Sequence, residues 1–186
     1  MILESTTITC KTGKEFQLVP IGPEHAEKFL NFMHQVSCDT HFMTRYGDEV
    51  KLDEEAVQAE RNRIKMLHDD EIQGMFSIFD GDRIVGNIAV RQVCKHRKSA
   101  HRCSIGLGVR KEYHGIGLGT LLIDHAIKFA TEAGYKSMEL GVLADNIPAQ
   151  GLYKKMGFTE WGRLPSAFIL DDGTVIDEIT MYRGLQ

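Results

Sequence analysis

The stretch from residue 102 to residue 120 reads Arg-Cys-Ser-Ile-Gly-Leu-Gly-Val-Arg-Lys-Glu-Tyr-His-Gly-Ile-Gly-Leu-Gly-Thr. Its first eight residues predict a strand, and a helix is predicted to begin near Thr120. Three glycines, Gly115, Gly117 and Gly119, separate the two elements. Glycines let a backbone approach a ligand closely, and the first turn of a helix carries unpaired N–H groups at its positive dipole end. The stretch therefore predicts a phosphate site at the start of the helix.

The spacing of the glycines excludes two familiar phosphate loops. No Gly-Lys-Ser/Thr follows them, so the segment is not a Walker loop. The pattern is Gly-x-Gly-x-Gly rather than the Gly-x-Gly-x-x-Gly of dinucleotide-binding folds. Two alternatives stay open on this segment alone: a tight turn without a ligand, and a nucleotide-binding α/β protein of another kind.

Strands and helices alternate outward from this segment. Apolar periodicity, prolines at helix starts and Asp-Gly turns predict strand 16–19, helices 22–38 and 53–67, strands 75–79, 83–93 and 102–109, helix 120–133, strand 136–143, helix 148–156, and strands 158–170 and 174–182. No repeat or low-complexity linker interrupts them. The order predicts a mixed α/β fold with one central sheet, in a single domain over residues 1–186.

The composition is that of a globular protein. Hydrophobic residues make up 42% of the 186 residues and charged residues 26%, which excludes a disordered tail protein. No apolar run approaches the ~18 residues of a membrane span. The start of the chain, Met1–Thr6, shows no secretory signal. The four cysteines form no Cys-x-x-Cys pair, so we expect no metal and reduced thiols in a cytoplasmic protein.

Charge is distributed unevenly along the chain. Residues 1–82 hold 16 acids and 8 Lys or Arg residues, whereas residues 83–111 hold 8 Lys or Arg residues and no acid. A basic block in an otherwise acidic chain predicts a local anionic ligand beside the glycines. For the run Lys95–Lys98 alone, a solvated loop is the alternative. The sequence pI of 6.1 argues against a nucleic-acid partner.

A second motif gives the chain a family resemblance. Residues 146–158 read Asn-Ile-Pro-Ala-Gln-Gly-Leu-Tyr-Lys-Lys-Met-Gly-Phe. The GNAT superfamily of N-acetyltransferases carries Asn-x-x-Ala-x-x-Leu-Tyr-x-Lys-x-Gly-Phe here, preceded by Gln/Arg-x-x-Gly-x-Gly/Ala at a strand–helix junction. The chain resembles this superfamily closely over 102–183, and most of all its bacterial branch of ribosomal-protein N-terminal acetyltransferases. It departs from the pattern at His114, which replaces Gln or Arg.

The resemblance implies a GNAT fold, in which a mixed, mostly antiparallel sheet flanked by helices splays open at an acetyl-CoA site. Residues 16–93 would form the acceptor-side half and residues 102–183 the acetyl-CoA half. The backbone of Leu107, Gly108 and Val109 would pair with the pantetheine arm, with Gly108 at a β-bulge or a simpler strand irregularity. Phosphate contacts would come from His114, Gly115, Ile116, Gly117, Leu118, Gly119 and Thr120.

The same resemblance suggests catalytic residues. Tyr153 would supply the proton for the leaving thiolate, and Asn146 would contact the cofactor near its thioester. Some ribosomal-protein acetyltransferases carry a glutamate where this chain has Gly141, so Glu139, on the same face of the strand, is our predicted general base. The structural alternatives are a packing aromatic for Tyr153, a helix-cap amide for Asn146 and a surface carboxylate for Glu139. A water chain or an already neutral amine would need no base residue.

We therefore expect an enzyme that transfers acetyl from acetyl-CoA to a primary amine by direct attack in a ternary complex, without a metal. The alternative is a non-catalytic acyl-CoA-binding or sensing module, and a homodimer is an open question. Acids crowd the connector between the first two helices (Asp39, Asp48, Glu49, Asp53, Glu54 and Glu55), beside the apolar residues Phe42, Met43 and Tyr46. They predict a cationic or neutral acceptor, a small-molecule amine or a peptide N-terminus, with helix capping as the alternative.

Overall fold

A computed structural model describes residues 4–185, which contain eight strands and four α-helices. The strands are β1 (Thr6–Thr9), β2 (Glu15–Pro20), β3 (Gly74–Asp80), β4 (Arg83–Gln92), β5 (Arg102–Val109), β6 (Ser137–Leu143), β7 (Thr159–Ile169) and β8 (Val175–Gly184). The helices are α1 (Ala26–Asp39), α2 (Glu54–His68), α3 (Leu118–Glu132) and α4 (Ile147–Lys155). Met1–Leu3, part of the segment in which we expect no secretory signal, and Gln186 lie outside the described residues.

All eight strands belong to one sheet, in the order β1-β2-β3-β4-β5-β6-β8-β7. Neighbouring strands run antiparallel except β5 and β6, which are parallel. A parallel pair needs a long crossover connection, which α3 supplies here. The predicted mixed, mostly antiparallel sheet is confirmed. The division into an acceptor-side half over 16–93 and an acetyl-CoA half over 102–183 stays a prediction.

Helices cover both faces of the sheet, and alternating residues of a strand pack against the helices on one face and on the other. On β3, Phe76 and Ile78 pack into the core that contains α3 and α4, whereas Met75 and Phe79 pack into the core that contains α1 and α2. Burying each such side chain contributes roughly 1.5–3 kcal/mol relative to exposure. We call these two sides the α3–α4 face and the α1–α2 face.

The sheet opens between β5 and β6. The two strands pair over only three positions, the last of which joins Ser104 to Glu139. Beyond that point residues 105–109 keep β4 as their partner, and residues 140–143 keep β8. The backbone groups that the two strands turn towards each other therefore have no ladder partner within residues 4–185. The predicted splay of the sheet is confirmed.

The β-bulge predicted at Gly108 is wrong. The ladder between β4 and β5 is unbroken from Val109 to Cys103. The irregularity lies in β4, where Val85 is an extra residue in the pairing with β3. Gly108 faces α1, and a Cβ there would lie 3.4 Å from the ring of Phe32, which is an ordinary van der Waals contact. A glycine in a strand can mark a bulge or a close approach of another group, and Gly108 shows neither.

Candidate functional site

The glycine segment forms the turn between β5 and α3. Gly115 and Gly117 have φ angles of +78° and +96°, a left-handed conformation that favours glycine. Gly117 is the N-cap of α3, so the helix begins at Leu118, two residues before the predicted start. The N–H groups of Leu118, Gly119 and Thr120 lie in the first helical turn, where they have no helical acceptor. With the positive end of the helix dipole, they suit an anion.

Gly119 serves the packing of two helices. A Cβ at this position would lie 2.8 Å from Cδ2 of Leu152 on α4 and 3.9 Å from Cδ2 of Leu107 on β5. The missing side chain thus lets α3 approach α4 closely. Gly119 therefore leaves space for the side chain of Leu152 where the two helices that carry the sequence motifs meet.

The turn between β1 and β2 contacts the glycine segment, which the sequence does not reveal. The backbone N–H of Lys11 donates to the carbonyl of Ile116 over 3.0 Å. The aliphatic part of Lys11 covers Gly117, since a Cβ there would lie 3.1 Å from Cγ and 3.3 Å from Cε of the lysine. The ammonium of Lys11 is one bond beyond Cε, so it lies close to the start of α3.

An ionic network fixes this turn. Lys14 pairs with Asp80 at 2.5 Å, and the hydroxyl of Tyr113 donates to the same carboxylate over 2.8 Å. These two partners hold the pKa of Asp80 below its usual value, so the carboxylate stays charged at neutral pH. The network joins the β1–β2 turn to the end of β3 and to the segment before the glycines, and this keeps Lys11 in place.

The end of β5 supplies backbone groups to the opening. The N–H of Val93 donates to the carbonyl of Arg102 over 3.1 Å. The alternation of an antiparallel ladder then turns even-numbered residues of β5 towards β4 and odd-numbered residues towards the opening. The backbone groups of Leu107 and Val109 accordingly face the opening, whereas those of Gly108 face β4.

His114 folds back onto the strand that it follows. Its Nε2 lies 2.9 Å from the carbonyl oxygen of Val109, so this ring nitrogen donates a hydrogen bond to the end of β5. The imidazole thereby occupies one acceptor site of Val109, and the N–H of Val109 and both groups of Leu107 remain for a ligand in the opening.

The basic block does not gather at the glycine turn. Lys95, Arg97 and Lys98 precede β5, which is eight residues long, whereas the glycines follow it. Such a strand spans about 25 Å, so the two loops are far apart. Arg110 is buried, and its Nε donates to the carbonyl of Ile84 over 2.8 Å. The prediction that the basic block surrounds one anion at the glycines is wrong, because the residues before β5 and those after it lie at opposite ends of the strand.

Asn146 begins α4 as its N-cap. Its Oδ1 accepts a hydrogen bond from the N–H of Ala149 over 3.2 Å, so the side-chain oxygen acts as the predicted helix cap. The amide nitrogen of Asn146 has no hydrogen bond to another residue in 4–185, and it stays available as a donor.

Tyr153 lies on the inner face of α4 and is 7% exposed. Its ring packs edge-on against Phe158, with ring centroids 5.9 Å apart. Burial raises the pKa of Tyr153 to about 12, so the hydroxyl is protonated throughout the neutral range. Both sequence interpretations, a packing aromatic and a proton donor, are compatible with this position.

Glu139 lies where β5 and β6 separate. Its two carboxylate oxygens accept from Nη2 of Arg102 on β5 over 3.0 and 2.7 Å. A cavity of about 200 Å³ at this opening is lined by Ser104, Ile105, Glu139, Leu140, Gly141, Trp161, Glu178 and Thr180. The predicted base thus borders the opening but is already engaged in an ion pair.

The connector between α1 and α2 contacts the β7–β8 hairpin. The hydroxyl of Tyr46 accepts from the N–H of Asp171 over 2.9 Å. Nε2 of His41 lies 2.7 Å from Asp145, the residue before the α4 cap. Between connector and hairpin lies a small cavity of about 70 Å³, and Met43 and Tyr46 of the predicted apolar wall line it. The connector therefore reaches both the last hairpin and the start of α4.

The acids of the connector divide into two groups. Asp53 caps α2 by accepting from Ala56 over 2.8 Å, and Glu49 accepts from the N–H of Tyr46 over 2.7 Å. Asp39 likewise accepts from the amide of Gln35 over 2.9 Å. The remaining three are exposed and carry no such contact among the described residues: Asp48, Glu54 and Glu55. Capping explains Asp53 and Glu49, a side-chain contact engages Asp39, and the second group is free to attract cations.

The sequence matches the acetyltransferase (GNAT) family model over residues 31–158, more than half of the chain. The chain belongs to the GNAT family. A GNAT-family acetyltransferase of Streptococcus pneumoniae superposes with a TM-score of 0.82 and 24% identity, covering 92% of this chain and 99% of that one. The yncA protein of Salmonella typhimurium, solved with its cofactor acetyl-CoA, superposes with a TM-score of 0.74 and 15% identity over 93% of this chain and 95% of that one. Both likenesses show the GNAT fold, as the sequence motifs predict.

Two named GNAT relatives match over shorter segments. Mycothiol acetyltransferase of Arthrobacter sp. is 42% identical over 55 residues, 30% of this chain and 17% of the relative. A Bacillus subtilis protein named for alanine N-acetylation of ribosomal protein bS18 is 38% identical over 56 residues, 30% of this chain and 37% of the relative. The resemblance to the ribosomal-protein branch is thus confirmed, although the matched segments span well under two thirds of these relatives.

Three further properties bear on the site. Among residues 4–185, no cluster of three His, Cys, Asp or Glu side chains is arranged to hold a metal ion. The four cysteines are separate thiols: Cys10, Cys38, Cys94 and Cys103. None of the helices in the described part of the chain is long and apolar enough to cross a bilayer.

Proposed function

We propose that this chain transfers an acetyl group from acetyl-CoA to a primary amine, by direct attack in a ternary complex. One observation carries the proposal: the sheet opens between β5 and β6, and the helix that joins these strands begins with free N–H groups. A thioester on an extended arm that ends in phosphates needs both a slot and an anion site. Membership in the GNAT family supports the same activity.

The residues present fit acetyl-CoA as a co-substrate. The N–H groups of Leu118–Thr120 would hold the pyrophosphate, in a turn shaped by the left-handed glycines, and Lys11 would add a positive charge. The backbones of Leu107 and Val109 would pair with the arm, and the free amide nitrogen of Asn146 would donate near the thioester. Bound there, acetyl-CoA supplies an acetyl group already activated for attack by an amine.

Tyr153 holds the proton that the thiol product requires. Its pKa of about 12 means that the hydroxyl does not release this proton by itself. Transfer from a phenol with so high a pKa to a thiolate is uphill, which favours a Tyr153 that recovers a proton as it gives one up. The amine nitrogen, which becomes acidic as it bonds to carbon, is the source. Tyr153 thus relays a proton from nitrogen to sulfur.

Direct attack is favoured over transfer through a cysteine. Cys103 lies on β5, but burial raises its pKa to about 12. The thiolate is the nucleophilic form, and at neutral pH this side chain is a thiol. No acid–base partner activates it among residues 4–185, where Sγ donates to the carbonyl of Ser137.

The acceptor that we propose is a primary amine on a cationic or neutral molecule, such as a peptide N-terminus, a polyamine or an aminated small molecule. The exposed acids Asp48, Glu54 and Glu55 favour a positive charge. Separate thiols fit a reducing compartment, so we place the protein in the cytoplasm.

A non-catalytic acyl-CoA-binding module is the second candidate, and the ion pair that engages Glu139 favours it. A thermal-shift series with acetyl-CoA, CoA, ATP and NAD, followed by CoA release in the presence of amines, separates the two. The enzyme is stabilised by acetyl-CoA and CoA and releases CoA only when an amine is added. Stabilisation without release from any amine identifies the binding module, and stabilisation by ATP or NAD alone contradicts both.

A further inference from the structure

We propose that Glu178 on β8, rather than Glu139, binds the ammonium group of the acceptor and takes its proton. The inference rests on the proposed function, because it assigns a residue to acetyl transfer. It originates in a contact between two neighbouring strands of the sheet.

The contact joins Glu178 to the backbone of β6. In the antiparallel pairing of β6 and β8, Gly141 lies opposite Thr180, and Glu178, two residues before Thr180, lies opposite Leu143. A Cβ at position 141 would lie 2.7 Å from the carboxylate carbon of Glu178, and closer still to Oε1. Any side chain at 141 would therefore push the carboxylate away. Because residue 141 is glycine, the carboxylate of Glu178 on β8 can lie over the backbone of β6.

Glu178 and Glu139 line the same cavity but differ in their partners. Glu139 accepts two hydrogen bonds from Arg102, and taking a proton would cost it this ion pair. Glu178 is half-buried and has no hydrogen bond or ion pair with another residue in 4–185. Withdrawing a carboxylate from water without a compensating partner is unfavourable, and a bound ammonium would supply that partner.

Tyr153 and Glu178 lie on opposite faces of the sheet. On β6, Leu140 and Val142 pack into the same core as Tyr153, so Tyr153 belongs to the α3–α4 face. Side chains alternate along a strand, so position 141 and the carboxylate above it lie on the α1–α2 face. The proposed proton donor for sulfur and the proposed proton acceptor for nitrogen are thus assigned to opposite faces of the sheet.

Trp161 completes the site for a cation. Trp161 lines the cavity with Glu178 and is 63% exposed. An indole face attracts cations, and a carboxylate beside it forms a charge-assisted hydrogen bond with an ammonium. The chemistry of this pair selects a primary alkylamine that is protonated in solution, and it disfavours acceptors that carry a carboxylate beside the amine.

The acceptor ammonium loses two protons in the reaction. Glu178 takes the first, which frees the nitrogen lone pair to form the C–N bond with the acetyl carbonyl carbon. As the C–S bond breaks, the sulfur takes a proton from Tyr153, and Tyr153 recovers one from the nitrogen. Glu178 then releases its proton to solvent, so the products are the N-acetyl amide, the thiol CoA and one proton.

Two substitutions test Glu178 without touching the glycine turn. Glu178→Gln keeps the shape but accepts no proton, and Gly141→Ala places a methyl group where the carboxylate lies. With spermidine as the acceptor, each lowers kcat/KM by about 100-fold or more. The affinity for acetyl-CoA, measured by calorimetry, and the Tm stay at wild-type values, because neither contact belongs to the phosphate site or the core.

Two further variants sharpen the comparison. Glu160→Gln, on the exposed side of β7, keeps wild-type kcat/KM and serves as the control for losing one negative charge. Glu139→Gln loses at least about tenfold less than Glu178→Gln. A Glu178→Gln enzyme with wild-type kcat/KM, or a Glu139→Gln enzyme that is damaged as severely, would overturn the proposal.

Trp161 is the only tryptophan of the chain, so its fluorescence reports binding independently of turnover. Spermidine added to CoA-loaded wild-type protein changes this fluorescence saturably, and Glu178→Gln moves the midpoint to at least about tenfold higher concentration. An unchanged midpoint contradicts the role of Glu178 in binding the ammonium. If the wild type releases no CoA with any amine, the proposed function fails, and this titration still decides whether Glu178 binds cations.

Moving the carboxylate tests its location directly. Glu178→Gly removes it, and the double variant Gly141→Glu with Glu178→Gly supplies it from β6 instead. The double variant recovers at least about tenfold in kcat/KM over Glu178→Gly. A double variant that is no more active than Glu178→Gly contradicts the claim that a carboxylate at this place supports transfer.

Discussion

At the scale of single residues, surroundings fix the protonation of the groups in the site. Burial raises the pKa of Tyr153 to about 12, and Lys14 with Tyr113 lowers that of Asp80. The sequence identifies Tyr153 through its motif. It does not distinguish Glu139 from Glu178, because the free carboxylate depends on the register of β6 and β8 and on an ion pair to β5. Strand register and ion pairs between strands are tertiary contacts, which no local sequence pattern predicts.

Replacing Tyr153 by Phe removes the hydroxyl that we propose as a proton relay but keeps the ring that packs on Phe158. We expect turnover to fall by about 100-fold, as for the loss of a general acid. The hydroxyl has no hydrogen-bond partner among residues 4–185, so the Tm of Tyr153→Phe should equal or exceed that of the wild type. Steady-state rates and calorimetric acetyl-CoA affinity check this. Full turnover in the variant would assign the proton to solvent.

The raised pKa of Tyr153 predicts a loss of stability in alkali. Below pH ~10 the hydroxyl is protonated in both the folded and the unfolded chain, and its contribution to stability is constant. Between pH ~10 and ~12 the unfolded chain ionises and the folded chain does not, so stability falls by about 1.4 kcal/mol per pH unit. Urea unfolding at pH 8 and pH 11 should show a wild type that loses about 1.3 kcal/mol more than Tyr153→Phe. Equal losses would mean that the hydroxyl is not buried.

Lys11 is expected to contribute to acetyl-CoA affinity through charge alone. Lys11→Met keeps the apolar stem over Gly117 and removes the ammonium. Exposed ion pairs are worth about 1 kcal/mol or less, so the Kd should rise about two- to fivefold, and less in high salt. Lys128→Met, which removes a lysine on the last turns of α3 that pairs with Asp124, is the control. Equal effects of the two substitutions would remove Lys11 from the phosphate site.

At the scale of elements, the sequence predicts all four helices to within a few residues, because their apolar spacing, prolines and glycine stops act locally. β1 escapes prediction, since its threonines are mostly exposed and only pairing with β2 makes it a strand. The bulge is misplaced because the extra residue is Val85 of β4 and not a glycine, whereas Gly108 lies in an unbroken ladder. The basic block is misinterpreted because its two ends lie at opposite ends of β5 and are therefore far apart. Local signals locate elements, and contacts between elements decide what each glycine or lysine does.

The packing of α3 on α4 is tested at Gly119. Gly119→Val inserts a branched side chain 2.8 Å or less from Leu152, and such overpacking costs about 1–3 kcal/mol. The Tm should fall, and the additional change Leu152→Ala should restore part of the loss, because it opens the space that valine needs. Additive losses in the double variant, measured by thermal unfolding, would show that the two residues do not meet.

At the scale of the whole molecule, the sheet divides the chemistry between its two faces. The start of α3 and the buried Tyr153 lie with the α3–α4 core, and the acids of the connector follow α1 on the way to α2. The chain is acidic in residues 1–82, whereas Lys11 stands at the glycine turn. An anion at the helix start and a cation on the acceptor side are thus both favoured electrostatically.

In the proposed reaction, a primary amine attacks acetyl-CoA held in the opening between β5 and β6. The most direct test measures CoA release by the wild-type chain with spermidine, a basic peptide with a free N-terminus, and glutamate as acceptors. We predict release only when an amine is present, in equal amount to the N-acetylated product, fastest with the cationic acceptors and slower as salt rises. Tight binding of acetyl-CoA without release from any of these amines would contradict the claim.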